Sequence, residues 1–386
     1  MSVILIPTTV ADAHAHCVAI VLGHMGHRPV LWHCSDMPER AAASVQLGPQ
    51  ETVVTTLHGR EIGVDFQDVD VFWNRRVGAP VVETDLLDCD RRIAEQESER
   101  FTRSLLALAS RDAFAVNTFQ AARHAEDKVV QLVTARGLGM ALPPTLISNA
   151  PERIRRFVGA LEEKGVVVKN FSPMAWTGVA PGPLAMNFTA KVDGGTLPRD
   201  GILRLTPAIY QALVPKDHEV RVTCMGAELV AVALQTQQLE YSRVDWRRAP
   251  NASLAMQRTE LPAAVADQCR QLMAQLNLRF GCFDFIVTPD GDWVFLEVNQ
   301  MGQFLWIEQA NGEIPMLQTF CDFLVSKDPG FRCTRRHGGR TFADVEAEAL
   351  QRLSIATKSH LRPGIAPHVY RETCGDGREA SLSIAA

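Results

Sequence analysis

Phe283-Asp284-Phe285-Ile286-Val287-Thr288-Pro289-Asp290-Gly291-Asp292-Trp293-Val294-Phe295-Leu296-Glu297-Val298-Asn299 is two apolar runs divided by a Pro-x-Gly turn. A turn of that kind between apolar runs predicts a hairpin of antiparallel strands. Side chains two apart on a strand share a face, so Glu297 and Asn299 emerge together while Val298 points the other way. Asp284, on the partner strand, comes to the same place. Two carboxylates and a carboxamide form an all-oxygen donor set that suits magnesium or manganese better than zinc. The same acids also suit an ordinary solvated hairpin. Phosphate-binding cations upstream would favour the metal, because magnesium held by few carboxylates completes its shell with substrate phosphates.

Such cations are present. Lys128 sits in an apolar-periodic stretch from roughly 119 to 136, which predicts a helix stopped by Gly137 and Gly139 with Pro143 beyond. Lys164-Gly165-Val166-Val167-Val168-Lys169 is a β-branched run that delivers Lys169 to a strand end, where a lysine must reach water or pair with an anion. Ala208 to Pro215 leads into Lys216-Asp217-His218-Glu219-Val220-Arg221-Val222-Thr223. The alternation there predicts a half-buried strand presenting Arg221 beside its acids, with surface pairing to Glu219 or Asp217 as the plainer alternative. The segment Phe171 to Pro183, rich in small and turn-forming residues around Trp176, suits a loop closing over phosphates or a plain surface loop. It is not a Walker loop, since no Gly-x-x-x-x-Gly-Lys-Ser/Thr string occurs.

In this order, Lys128, Lys169, Gln211 to Val214, Glu219-Val220-Arg221, Asp284 and Glu297-Val298-Asn299 resemble the ATP-grasp superfamily of carboxylate ligases. Leu142 to Asn149, Val244-Asp245-Trp246-Arg247 and Phe295 to Glu308 resemble a narrower branch, the microviridin-type (graspetide) maturases of ribosomal peptides. The resemblance runs from the first strand to about residue 326. It implies an α+β ATP-grasp fold with a small N-terminal α/β pre-domain over residues 1–115, a central lobe at 116–205, a C-terminal lobe with the metal site at 206–328 and an extension at 329–386. It further implies that Lys128 reaches the α-phosphate of ATP, that Lys169 bridges phosphate and adenine, and that Gln211, Leu213 and Val214 belong to the linker reading the adenine edge. Lys216 would serve the ribose or phosphate side and Arg221 the γ-phosphate. Asp284, Glu297 and Asn299 would hold Mg2+, with Mn2+ as the other choice. Where the family usually has Gln-Glu in the linker, this chain has Gln211-Ala212. The implied chemistry is activation of a carboxylate as an acyl phosphate, followed by attack of an amine or hydroxyl. In the narrower branch the carboxylate is an Asp or Glu side chain of a ribosomal precursor peptide with leader and core segments. The product is a macrocyclic ester with Ser or Thr, or an amide with Lys. A ligase joining an amino acid or small amine to a small-molecule or protein-terminal carboxylate is the alternative, and a homodimer is a family expectation.

Ser2 to Pro7, Ala13 to Met25 and Arg28 to Trp32 read strand, helix, strand, an opening β-α-β unit. Asp70-Val71-Phe72-Trp73-Asn74-Arg75-Arg76 resembles the strand and basic pair facing the cleft in peptide maturases, making Arg75 and Arg76 candidate binders of the substrate carboxylate, or surface charge. His14, His16, His24, His27 and His33 invite a metal reading. Their irregular spacing, with no Cys-x-x-Cys partner, favours structural or surface histidines. Glu95 to Asp112 and Pro262 to Asn277 read as amphipathic helices. Asp245-Trp246-Arg247-Arg248 lies in a polar link, its Trp an anchor for a peptide or a lid to the core. After Pro329 the chain turns basic at Arg332, Arg335, Arg336 and His337, then acidic, and reads as an extra helix or a disordered tail.

The chain's 386 residues suffice for two or three domains. A net charge of -5 provides no basic field for nucleic acid. No apolar run is long enough for a membrane span, and the first strand is too short for a signal peptide. Nine scattered cysteines fit thiols in a reducing cytoplasm.

Overall fold

The computed structural model describes residues 1–49, 54–59, 62–171, 175–176, 185–186, 189–248, 254–334 and 338–361. The chain opens as the apolar pattern predicts. Strands Val3–Thr8 and Arg28–His33 pair in parallel around helix Ala13–His24, and Val71–Trp73 and Phe114–Val116 extend the sheet on the other side. Asp12 caps the helix, accepting from His14 N at 3.0 Å and Ala15 N at 3.3 Å. Ala41–Gln46, Val54–Gly59 and Gly63–Asp65 form a separate three-stranded sheet. The β-α-β expectation holds.

A second four-stranded sheet runs in the order Ala190–Val192, Val166–Lys169, Ala208–Ala212, Thr145–Ser148, all antiparallel. Helices Pro151–Ala160 and Asp200–Leu205 cover it, burying Ile154, Val158 and Leu203 against Val166 and Tyr210. The largest sheet has five antiparallel strands: Met256–Arg258, Glu228–Leu234, His218–Met225, Phe280–Val287 and Trp293–Asn299. Strand His218–Met225 is therefore interior. Every residue after His218 is buried, a correction to the half-buried strand that its alternation suggests. A strand with neighbours on both sides and helices against its face loses the solvent side that alternation normally reports.

The hairpin forms in the predicted register, with Asp284 opposite Glu297 and Cys282 opposite Asn299, and a local irregularity at Asp284/Phe285. Gly291 takes φ +88, which favours glycine at the turn. The expected single helix from 119 to 136 is instead two, Phe119–Glu126 and Lys128–Gly137. Asp127 divides them, its side chain accepting from Val129 N at 2.9 Å and Val130 N at 3.2 Å as the N-cap of the second. Apolar spacing continues across the break, so periodicity alone does not register it.

The extension does contain a helix, Phe342–Ser359, opened by a Thr341/Asp344 capping box. It packs along helix Ala13–His24. Beyond it, Leu361 is tied to the turn after strand Arg28–His33 by Ser35 Oγ donating to its carbonyl at 2.6 Å. Arg335, Arg336 and His337, and most of the expected phosphate loop from Ser172 to Pro183, lie outside the described residues. Among the described residues no helix is long and apolar enough to cross a membrane. The cysteines among them are all free.

Candidate active site

The cations and acids meet in one cleft between the second four-stranded sheet and the five-stranded sheet. Lys128, Lys169, Gln211, Leu213, Val214, Lys216, Asp284, Glu297 and Asn299 all line it. Pairing registers explain the convergence. Strand Phe280–Val287 places Asp284 between Glu297 on one neighbour and Arg221 on the other. Arg221 Nη1 donates to both Asp284 oxygens at 2.8 Å, and its Nη2 donates to the Gln303 carbonyl at 3.1 Å. Burial, with the Glu297 charge adding to it, pushes the Asp284 carboxyl up against the pull of Arg221. Glu297 goes the other way. Lys128, whose Nζ donates to Glu297 Oε2, holds that carboxyl down at about 2 against burial, with Arg247 and Lys169 assisting.

Among the described residues there is no group of three or more His, Cys, Asp or Glu side chains placed to hold a metal ion. His14, His16 and His33 are buried, and His14 Nε2 accepts from Phe304 N at 3.2 Å and Leu305 N at 3.1 Å. Asp284, Glu297 and Asn299 supply oxygens only. That set fits a hard cation that keeps water and takes phosphate oxygens, and would not by itself cage one.

The cleft walls carry the rest. Val167, Leu213, Ile286 and Leu296 make an apolar lining. In the linker, Gln211 Nε2 donates to Thr145 Oγ1 at 3.1 Å, Ala212 N to the Pro144 carbonyl at 2.9 Å and Leu213 N to the Gly165 carbonyl at 2.9 Å. Lys216 is held by Glu219 at 2.6 Å, both side chains only 6% exposed. Its charge is therefore compensated inside the wall. Burial lowers the pKa of Lys169, opposed by Glu297 and reinforced by Arg247. An anion binds the protonated amine, so affinity for ADP should fall as pH rises through this lowered value, earlier than for an ordinary lysine near about 10.4. Calorimetric titration of ADP across that range checks it. Lys169→Arg should remove the fall, and an identical pH profile in the two proteins would contradict the assignment.

Three lining residues escaped the sequence reading as contacts. Asp245 is buried and takes Arg247 through Nε at 2.8 Å and Nη2 at 2.6 Å, together with Thr189 N at 3.0 Å. Burial opposes ionisation of Asp245, but Arg247 keeps the carboxyl below the usual carboxylate range. Arg247, 47% exposed, pairs with Asp245 and lines the same cleft as Glu297 and Asp284. Trp246 stacks on Trp306 with ring centroids 4.7 Å apart. The string Val244 to Arg247 marked the region, but an i, i+2 pair in an irregular link carries no periodic signal.

Arg75 is placed differently from the expectation. It is 1% exposed, its Nε lies 2.9 Å from Asp12 Oδ2 and its Nη1 donates to the Met301 carbonyl. An enclosed guanidinium with a buried acid and a carbonyl cannot also be an open carboxylate receptor. It braces the loop two residues beyond Asn299 instead. Arg76 is 36% exposed, with Nε 3.9 Å from Asp12. Neither lines the cleft.

No family model and no curated protein matches the sequence. Solved structures do. The macrocyclase MdnC of Microcystis aeruginosa MRC, bound with precursor peptide MdnA, superposes with TM-score 0.74 at 26% identity, covering 85% of this chain and 100% of that one. A RiPP-associated ATP-grasp ligase of Chryseobacterium gregarium, in complex with ADP and a leader and core peptide, gives 0.76 at 25% identity, covering 88% and 100%. This chain has the ATP-grasp fold. The macrocyclase MdnB of Microcystis aeruginosa MRC gives 0.69 at 27% identity, covering 84% of this chain and 99% of that one. The α+β ATP-grasp architecture expected from the motif order is thus the observed one.

Proposed function

We propose that this ATP-grasp protein is an ATP-dependent ligase that activates Asp or Glu side chains of a ribosomal precursor peptide as acyl phosphates. It then closes macrocycles through Ser or Thr esters or Lys amides. The observation that carries this reading is the single cleft in which Lys128, Lys169, Asp284, Glu297 and Asn299 converge on a fold shared with peptide macrocyclases. Lys128 and Arg221 already stand on Glu297 and Asp284. Phosphate oxygens would take over Lys128, while Arg221, enclosed behind Asp284 and outside the cleft lining rather than open to the γ-phosphate as the motif implied, would hold that carboxylate in place; the carboxylates and Asn299 are then left to a divalent ion, Mg2+ or Mn2+. That ion would neutralise charge developing on the transferred phosphoryl group. Lys169 adds positive charge from the opposite wall, while the Leu213 and Val214 backbone and the apolar lining receive the adenine. Lys216, through its pair with Glu219, shapes the floor near the ribose.

Arg247, an exposed cation lining the same cleft as Asp284 and Glu297, suits the substrate carboxylate. The four-part division at residues 115, 205 and 328, leader binding by the central lobe, a homodimer and a cytoplasmic location complete the proposal. It is tested by ADP release with ATP and magnesium present. Release should require a precursor peptide rich in Thr, Ser, Asp and Glu. Equal release with free amino acids alone would identify a small-substrate ligase instead.

A further inference from the structure

Gln131 is an uncharged polar side chain, only 1% exposed, on the helix Lys128–Gly137. A buried carboxamide needs partners for both its ends. Here Nε2 donates to the Ala125 carbonyl at 2.5 Å and the Val298 carbonyl at 2.9 Å, and Oε1 accepts from Val298 N at 3.0 Å. Strand Trp293–Asn299 is the outer strand of its sheet. A carboxamide has the donor and acceptor of a peptide unit, so Gln131 behaves as a one-residue additional strand on that edge. The residue it grips stands between Glu297 and Asn299.

Lys128 lies three residues before Gln131 on the same helix, a spacing that puts both on one face. Both reach the same strand, Lys128 at Glu297 and Gln131 at Val298. The bond to Ala125 closes the break between this helix and the preceding one, so three chain segments meet at one amide. We propose that Gln131 is a positioning residue that sets the distance between the phosphate-binding Lys128 and the metal-binding pair Glu297 and Asn299. This rests on the metal and phosphate roles proposed above. Without Gln131 the outer edge of the strand is open at the point where both ligands must hold their aim, and the helix bearing Lys128 is free to slide along it.

Gln131→Met keeps the length of the side chain and removes all three bonds. Two readings follow the change, and the second separates a positioning role from a stapled edge. One is hydrogen exchange at the Val298 amide, which should speed up by about tenfold or more. The other is the magnesium concentration at which ADP half-maximally raises the melting temperature, which should rise by roughly 10- to 100-fold. Gln131→Glu keeps the acceptor for Val298 N, so it should retain slow exchange there. Its second oxygen cannot donate to both the Ala125 and the Val298 carbonyls, so the magnesium dependence should still be spoiled. A lower melting temperature for Gln131→Met with an unchanged magnesium midpoint would reduce Gln131 to a structural staple and overturn the inference. Absence of any magnesium-dependent ADP effect in the unaltered protein would remove the metal reading itself, and the inference with it.

Discussion

Glu297→Gln should abolish magnesium-dependent ADP formation while the protein folds as before. The carboxylate lies about a third exposed at the cleft, so the amide fits the same space. What is lost is one charge in the donor set and the partner of Lys128. Removing a single preorganised electrostatic contact from an active site commonly costs on the order of 100- to 1000-fold in turnover, and the loss of a metal ligand belongs at the upper end. The partly exposed Lys128–Glu297 pair adds little to stability, so the unfolding midpoint should stay close to that of the unaltered protein. Steady-state ADP release together with thermal unfolding checks both halves. Normal turnover by the variant would place the metal elsewhere.

Arg75→Met should do the opposite, destabilising the fold strongly. Arg75 and Asp12 are each 1% exposed, and removing the guanidinium leaves Asp12 charged and buried. Breaking such a pair from one side costs about 3–5 kcal/mol. The loss should show as a large fall in the denaturant midpoint. The pair also carries a pH dependence of known sign. Burial opposes ionisation of Asp12, but Arg75 and then Arg76 outweigh it and hold the carboxyl at about 2, below its ordinary 3.8. A depressed folded-state value contributes stability that is present above the unfolded value and disappears as pH falls through the folded one. The contribution should therefore be full above about pH 4 and lost toward about pH 2. In Arg75→Met the acid unfolding transition should move to higher pH. An unchanged midpoint, with weaker use of peptide substrate, would return Arg75 to the cleft.

The parts of the site that the sequence revealed are local. The hairpin was readable because a Pro-x-Gly turn between two apolar runs sets the register that pairs Asp284 with Glu297. Lys169 was readable because a lysine ending a β-branched run has few places to go. The parts it concealed depend on contacts distant in the chain. Whether Arg221 faces Glu219 or Asp284 is settled by a strand that arrives 63 positions later. Arg75 and Arg76 are adjacent and chemically identical, and burial beside the Asp12 cap separates them. Gln131 looks like any polar residue in an amphipathic helix until the edge of strand Trp293–Asn299 is laid against it. Arg247 lies in a link without periodicity, so its pairing with Asp245 and its place in the cleft emerge only in three dimensions.

The most direct test is intact-mass spectrometry of a candidate precursor peptide rich in Thr, Ser, Asp and Glu, incubated with the protein, ATP and magnesium. The account predicts loss of one or more molecules of water from the peptide, accompanied by ADP and dependent on Glu297. A peptide of unchanged mass, while the same protein releases ADP with free amino acids or other small carboxylates, would contradict it.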